Sequence, residues 1–113
     1  MEAGVGSIMC SYNRLNGTFA CEDDYTMNTV LKGELGFKGF VQSDWAATMS
    51  TTPSVNAGLD MTMPGDITFE SGDSYFGPNL TKAVNDHEVK EERVTDMATR
   101  IVAAWYKMGQ DKG

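Results

Sequence analysis

The pattern of apolar and polar positions along the chain predicts alternating strands and helices. Residues 5–12 are small and mostly apolar, which is typical of a short first strand. Residues 13–18 contain an Asn-Gly turn signal and predict a loop. Between residues 24 and 35 apolar side chains recur at helical spacing after a run of acidic residues, and Gly36 is the expected stop. The first third of the chain therefore predicts a strand, a loop and a helix.

A second strand is predicted within residues 39–45. This stretch begins with apolar, strand-prone residues and ends in a polar pair that includes Asp44, followed at once by Trp45. A buried parallel strand that ends in a carboxylate has this pattern, and in α/β folds ligands bind at that end of the strands. The alternative interpretation is that Asp44 caps a following helix and that Trp45 is an ordinary core aromatic.

The remaining pattern predicts one more strand and three helices. Residues 53–57 predict a short helix, residues 59–63 alternate as in a short strand, and Pro78 opens another short helix. Residues 90–108 carry one apolar stripe, with acids in the first turn, and predict an amphipathic helix packed on an apolar surface. This alternation indicates an α/β fold with parallel strands. Because three strands cannot cover these helix faces, the pattern favours part of a larger barrel over a very small domain.

The charge and composition of the chain argue against binding to nucleic acid or to a membrane. The chain has 113 residues, 41% of them hydrophobic, and a formal net charge of -7 with a pI near 4.5. Such an acidic chain is not expected to bind nucleic acid or an anionic membrane surface. No apolar run approaches the ~20 residues of a membrane span. No charged and then apolar leader follows Met1, so no signal peptide is visible in these residues.

Two cysteines and two sequons bear on the cellular compartment. Cys10 and Cys21 lack the His or Cys neighbours that a structural zinc site requires, so they are either two free buried thiols or a disulfide. N-glycosylation sequons begin at Asn16 and Asn79, both in Gly- or Pro-bearing stretches that are expected to be loops. Together these features favour the secretory route of a eukaryote.

Three stretches, residues 9–13, 39–45 and 57–65, occur in an order and spacing that resemble glycoside hydrolase family 3, and most closely its secreted fungal β-glucosidases. The resemblance extends over essentially all of residues 1–113. It implies that the chain is the last three strand–helix units of a (β/α)₈ TIM-type barrel, the N-terminal domain of that family. The first five strands, the following α/β sandwich and the fibronectin-like domain would be absent, and Met1 would be an internal residue or an artificial start.

The resemblance also assigns roles to individual side chains. Asp44 corresponds to the nucleophile of a retaining double displacement, and Trp45 would lie along the sugar face in the first subsite. Tyr12 would be hydrogen-bonded to Asp44 and orient it. Met9 would line the aglycone side, although a buried methionine is more often plain core. Asp60 would serve loop hydrogen bonding rather than catalysis.

The same resemblance implies what lies outside the chain. The acid/base glutamate of the family comes from the sandwich domain, the glutamates of this chain match no acid/base motif, and His87 is expected to be solvated. The segment alone is therefore expected to be inactive, without cofactor or metal. Its expected partners are a small β-glucoside or oligosaccharide and the rest of the parent polypeptide, with no nucleic acid and no membrane.

Two other functions are open for this chain, and one disulfide is expected. The parent could be a family 3 β-xylosidase or N-acetylglucosaminidase, or the segment could be a non-catalytic carbohydrate-binding or interaction remnant. For a secreted fungal parent we expect a disulfide between Cys10 and Cys21, because they flank a short loop and have no visible metal partner.

Overall fold

The computed structural model describes residues 3–113 and shows an α/β chain. Its elements, in chain order, are strand β1 (Ser7–Cys10), strands β2 (Arg14–Leu15) and β3 (Thr18–Phe19), a π-helix (Tyr25–Glu34), strand β4 (Phe40–Ser43), and helices α1 (Thr52–Asn56), α2 (Gly77–Asn85) and α3 (Glu91–Lys107). Single 3₁₀ turns lie at Ala20–Glu22 and Gln110–Lys112. All four predicted helices are present in the expected order.

The centre of the fold is a parallel pair of strands. Strand β1 pairs with β4, so that Ser7 lies opposite Phe40 and Cys10 lies opposite Ser43. Gly39 permits the close approach of the two strands, because a Cβ at that position would lie 2.2 Å from the Gly6 carbonyl oxygen. Both predicted strands are confirmed, with the first shortened to four residues. Their carboxyl ends lie at the same edge, which brings the residues that follow each strand together.

The predicted third strand is wrong in its extent. Among the described residues it is reduced to Met61, which forms an isolated parallel bridge with Gln42. The Met61 N–H donates to the Val41 carbonyl at 3.0 Å, and the Met61 carbonyl accepts from the Ser43 N–H at 2.9 Å. On one side of the bridge the Asp60 side chain, rather than a backbone carbonyl, accepts the Val41 N–H at 2.8 Å. On the other side Pro64 has no N–H to continue a ladder.

The predicted loop at residues 13–18 is a small hairpin. Strands β2 and β3 are antiparallel, and the turn between them is made by Asn16 and Gly17, both with positive φ (48° and 88°). Directly before and after this hairpin, Cys10 and Cys21 form a disulfide. Of the two alternatives that the sequence left open, the structure therefore has the bridged one.

The first predicted helix is confirmed, but it is wound in the wider π form. Its backbone bonds reach back five residues at the end, where the Leu35 N–H donates to the Val30 carbonyl at 2.9 Å. Gly36 adopts φ 63° and ends it, as predicted. Met27 is buried in the core and packs the helix against it.

Helix α3 is confirmed, but its apolar stripe is only partly covered. Met97 and Ala104 are buried, whereas the side chains of Val102, Trp105 and Met108 are exposed. Near the middle of the helix, Arg100 donates to the carbonyls of Phe37 and Gly39 at 2.9 and 3.1 Å and fixes the helix beneath the start of β4. Within residues 3–113, the helices are all too short or too polar to cross a membrane.

A carboxylate inside the fold joins three elements. The Asp60 side chain is fully buried and accepts from Lys32 Nζ of the π-helix at 2.9 Å, from Arg93 Nη2 of α3 at 2.8 Å and from the Val41 N–H of β4 at 2.8 Å. Arg93 also pairs with Asp96, which in turn pairs with Arg100. Burial lowers the pKa of Lys32 to about 8, because desolvation outweighs the attraction of Asp60. Asp60 is thus a structural ion-pair centre, deeper in the fold than the loop role predicted for it.

Candidate active site

Asp44 stands at the carboxyl end of β4, where the sequence placed it. Its N–H donates to the carbonyl of Cys10, the last residue of β1, at 2.9 Å. Its carboxylate oxygen Oδ1 accepts the Trp45 N–H at 2.6 Å. The residue is half-buried, so the carboxylate is held by the backbone yet reachable from the edge of the sheet. A fixed, accessible carboxylate at this edge can act as a nucleophile or hold a hydroxyl-bearing ligand.

Tyr12 reaches the same place from the end of β1. Its hydroxyl donates to the Trp45 carbonyl at 2.9 Å, across 33 residues of sequence. The Asp44 carboxylate lies close enough to raise the pKa of the Tyr12 phenol, chiefly through hydrogen bonding and further through desolvation and its negative charge. The phenol therefore stays protonated and remains a donor near neutral pH. Tyr12 thus bonds the Trp45 carbonyl beside Asp44 and also lies within reach of the Asp44 carboxylate, the partner that the sequence predicted for it.

Trp45 and Met9 present apolar surface at this edge. Trp45 is 57% exposed and Met9 is 54% exposed, so neither packs in the core formed by residues 3–113. An exposed indole next to a fixed carboxylate offers a flat apolar face and a charged group to the same ligand. The structure therefore places three of the four predicted site residues just after the paired strands, Tyr12 after β1 and Asp44 and Trp45 after β4, and the fourth, Met9, one residue before the end of β1.

The turn that carries Asp44 has an unusual backbone. Ala46 adopts φ 61°, a left-handed conformation that non-glycine residues rarely occupy. Its N–H donates to the Met63 carbonyl at 2.8 Å, and the Met63 N–H donates to Ser43 Oγ at 2.9 Å. Sequence reasoning missed these contacts. The available signal was a small polar residue, Ser43, at the last position of a strand that begins with the apolar residues Phe40 and Val41.

Other candidate groups lie elsewhere in the fold. Asp60 is buried among cations, which excludes it as a second reacting carboxylate at the open edge. Glu22 accepts from Ser50 Oγ at 2.5 Å. His87 is exposed in a left-handed turn between α2 and α3, as expected for a solvated residue. Across residues 3–113, His, Cys, Asp and Glu side chains do not gather in groups of three that could hold a metal ion.

The two sequons lie at different kinds of position. Asn16 is exposed at the tip of the β2–β3 turn, as predicted. The loop predicted around Asn79 is wrong, because Asn79 lies in the first turn of α2 after Pro78. Its side-chain Nδ2 donates to the Ser74 carbonyl at 2.7 Å and caps the turn before the helix. Helix α2 begins at Gly77, one residue before Pro78, where the sequence predicted its start.

Comparison with known proteins connects this site to a family. Residues 1–104 match the glycosyl hydrolase family 3 N-terminal domain. The chain is 58% identical over 114 residues to a probable β-glucosidase L of Emericella nidulans, covering 100% of this chain and 16% of that protein. Its fold matches a β-glucosidase from Chaetomella raphigera at a TM-score of 0.94 and 53% identity, covering 99% of this chain and 15% of that one. The β-D-glucoside glucohydrolase from Trichoderma reesei matches at a TM-score of 0.93 and 55% identity, covering 98% and 16% of the two chains.

The chain therefore spans about one sixth of the length of each of these relatives. The matched region includes both strand ends that carry the candidate site, with Tyr12 after β1 and Asp44 after β4. On the strength of a family match over 104 of its 113 residues, this chain belongs to glycosyl hydrolase family 3, within the N-terminal domain of that family.

Proposed function

We propose that this chain is a segment of a retaining β-glucosidase in which Asp44 is the nucleophile. The observation that carries the proposal is the position of Asp44 at the end of β4, where it is held by Cys10 and borders the exposed indole of Trp45. This placement supports attack on a sugar that approaches from the open edge of the sheet. The names of the relatives, β-glucosidases and a β-D-glucoside glucohydrolase, favour a β-glucoside as the substrate.

The proposed reaction has two displacements. In the first, an Asp44 carboxylate oxygen attacks the anomeric carbon, the bond to the leaving oxygen breaks, and a glycosyl-enzyme ester forms. In the second, water gives a proton to the acid/base residue as its oxygen attacks the same carbon, the ester bond breaks and the carboxylate is regenerated, so that the product keeps the β configuration. Because Oδ1 already accepts the Trp45 N–H, we assign the attack to the other oxygen, Oδ2.

The neighbouring side chains position the sugar and the carboxylate. The exposed Trp45 indole offers a flat face against which a pyranose ring can stack. Tyr12 donates to the Trp45 carbonyl and thereby holds the peptide that follows the nucleophile. Met9, exposed at the end of β1, lies on the side where we place the aglycone.

Catalysis also needs a proton donor, which we place outside residues 3–113. A retaining mechanism requires a second carboxyl group ~5–5.5 Å from the nucleophile. We propose that this acid/base residue comes from another part of a longer polypeptide, which also completes a (β/α)₈ barrel around residues 1–113. The parallel β1–β4 pair, its single further bridge at Met61 and the exposed end of the α3 stripe support a place inside such a larger sheet.

A trapping experiment tests the assignment of Asp44. The full-length polypeptide is incubated with 2-deoxy-2-fluoro-β-D-glucosyl fluoride, digested and examined by mass spectrometry. We expect the fluoroglucosyl group on Asp44, and we expect Asp44→Asn to lose both the label and turnover of p-nitrophenyl β-D-glucoside while keeping its melting temperature. Asp66→Asn, at the half-buried start of the loop after Pro64, is the control and should keep both, since asparagine can still accept the Gly72 N–H. A label on any other residue would refute the assignment.

Substrate class is tested separately from mechanism. We expect kcat/KM for the p-nitrophenyl β-D-glucoside to exceed that for the xyloside and the N-acetylglucosaminide. The reverse order, with Asp44 still labelled, would keep the mechanism and change the substrate to that of another family member. Sugar binding without any label or turnover would instead indicate a non-catalytic carbohydrate-binding role.

We further propose that the parent polypeptide is secreted and glycosylated. The Cys10–Cys21 disulfide supports an oxidising compartment. Asn16 is exposed at a hairpin tip, whereas Asn79 lies in the first turn of α2 with its amide bonded to the Ser74 carbonyl, a position less open to a glycosylating enzyme. Glycopeptide analysis of the protein from a eukaryotic host should therefore show higher occupancy at Asn16 than at Asn79.

A further inference from the structure

We infer that Ser43 is a positioning residue for Asp44, acting through the hydrogen bonds between its buried hydroxyl and the backbone of Met63. The inference rests on the proposed role of Asp44 as nucleophile and adds a residue that controls where that carboxylate lies. Ser43 does not touch the proposed substrate. It is the last residue of β4 and is only 1% exposed, so its hydroxyl is committed to the protein.

The Ser43 hydroxyl bonds in both directions with the backbone of one residue, Met63, of the neighbouring segment. Ser43 Oγ accepts the Met63 N–H at 2.9 Å and lies 3.4 Å from the Met63 carbonyl oxygen, to which it donates. The same carbonyl accepts the Ala46 N–H at 2.8 Å. The turn 44–46 is thus bracketed, since the residue before Asp44 and the residue after Trp45 both bond to Met63.

The backbone of the turn explains why it needs this support. Ala46 is held at φ 61°, which costs a non-glycine residue conformational energy and persists only when surrounding contacts enforce it. If the Met63 peptide shifts, the Ala46 N–H loses its acceptor and the turn can relax to an ordinary conformation. Asp44 lies inside this turn, so its carboxylate would move with it.

The other side of the turn is held by β1 and is independent of Ser43. The Asp44 N–H bonds to the Cys10 carbonyl, and the Tyr12 hydroxyl bonds to the Trp45 carbonyl. Loss of the Ser43 hydroxyl should therefore leave the carboxylate in the site but allow it to pivot about its β1 contacts. Two other contacts with the same segment remain without the hydroxyl, from the Ser43 N–H to the Met61 carbonyl at 2.9 Å and from Thr62 Oγ1 to Thr48 Oγ1 at 2.8 Å, but neither replaces the acceptor that the Met63 N–H would lose.

The test is Ser43→Ala in the full-length polypeptide, with Ser54→Ala as the matched control. Ser54 is also a fully buried serine, but its hydroxyl pairs with Ser50 Oγ at 3.1 Å within the α1 region. Because a shift of about 1 Å at a reacting group can cost up to ~100-fold in rate, we expect Ser43→Ala to lower kcat by roughly 10- to 100-fold. KM for p-nitrophenyl β-D-glucoside should change little, since Trp45 and the sugar contacts remain.

Two readouts separate positioning from a general loss of stability. The rate at which the fluoroglucoside labels Asp44, counted per folded molecule, should fall in parallel with kcat, while Asp44 remains the labelled residue. Amide hydrogen exchange at Met63 and Ala46 should speed up, and exchange at the Asp44 amide should not. Ser54→Ala should leave all of these values near those of the wild type.

Each outcome decides the inference. A kcat in Ser43→Ala no lower than in Ser54→Ala, or an Asp44 labelling rate equal to the wild-type rate, would overturn it. If wild-type protein is not labelled at Asp44, the proposed function fails instead, whatever Ser43 does. Should Ser43→Ala not fold, Ser43→Cys keeps a weaker acceptor of nearly the same size, and its kcat should fall below the wild-type value as Met63 exchange rises. Faster Met63 exchange with unchanged kcat would overturn the inference in that variant as well.

Discussion

The buried carboxylate of Asp60 allows a quantitative test of the fold, by the substitution Asp60→Asn. The carboxylate is 0% exposed and receives two cations and one backbone N–H, all within 2.9 Å. Asparagine has nearly the same shape but no charge, so Lys32 and Arg93 would remain buried without their counter-ion. Removing one partner of a buried ion pair typically costs about 3–5 kcal/mol. The three contacts are not summed, because they share one carboxylate and are not additive.

This free-energy change converts into a measurable shift in melting temperature. In a domain of 150–250 residues, each 1 kcal/mol lowers Tm by about 2–4 °C, so Asp60→Asn should lower Tm by roughly 6–20 °C. The measurement is differential scanning calorimetry of the full-length polypeptide at neutral pH, with Asp86→Asn as the control. Asp86 pairs with Lys82 on the exposed face of α2, where an ion pair contributes little.

The outcome that would contradict this reasoning is specific. If Asp60→Asn and Asp86→Asn shift Tm by the same small amount, the buried cluster does not hold the three elements together. Arg93→Met offers an independent check, because it removes one cation and leaves Asp60 paired with Lys32. We expect this variant to lower Tm as well, because Arg93 also donates to the carbonyls of Val55 and Leu59, which methionine cannot replace.

Four further predictions concern other parts of the chain. The disulfide between Cys10 and Cys21 should leave no alkylatable thiol in the unreduced, denatured protein, and its removal by Cys→Ser should cost about 3 kcal/mol in urea unfolding. Ala46→Gly should raise the free energy of unfolding by up to about 1 kcal/mol, because glycine adopts φ 61° freely, whereas Ala46→Val should lower it. If urea unfolding gave the same effect for both variants, Ala46 would not be strained. The pKa of Lys32 is lowered to about 8 in the folded state from the ordinary value of 10.5. Between about pH 8 and pH 10.5 the unfolded state therefore binds more protons than the folded state. The contribution of Lys32 to the free energy of unfolding rises with pH across that window. Comparison with Lys32→Met by urea unfolding at several pH values should show that rise only when lysine is present. Residues 1–113 expressed alone should hydrolyse no glucoside and form no stable monomer, since the apolar end of α3 and the edges of the β1–β4 pair are uncovered; a monodisperse monomer with a sharp melting transition in light scattering and calorimetry would contradict this.

Local pattern predicted the elements that have a strong period or a strong stop signal. Helix α3 was evident from its apolar stripe and acidic first turn, and its structure differs from the prediction by a residue at each end. Strand β4 and the position of Asp44 followed from an apolar run that ends in a carboxylate. The site could be gathered at one edge because the carboxyl ends of parallel strands meet, which depends on topology alone.

Contacts between residues distant in sequence were beyond such reasoning. The chain has nine Lys and Arg and sixteen Asp and Glu, and nothing local distinguishes Lys32, Asp60 and Arg93 as the buried set. Apolar and polar residues alternate over 59–63 as in a strand. The Asp60 side chain, however, accepts the Val41 N–H, and only Met61 pairs with β4, opposite Gln42. The π-winding of Tyr25–Glu34 leaves the apolar spacing nearly unchanged, so it resembles an α-helix in sequence.

The ion pairs of Asp60 with Lys32 and Arg93 also limit where related proteins can recombine without losing stability. Every group that the Asp60 carboxylate bonds lies between residues 32 and 93, so a crossover before the π-helix or after Asp96 would transfer the whole set together. A crossover between residues 33 and 59, or between 61 and 92, would join Asp60 from one parent to a cation from another. Such hybrids should be tolerated only when both parents have the same charges at these positions. Recombination libraries built from relatives of this chain should therefore yield folded hybrids mainly from breakpoints outside that interval.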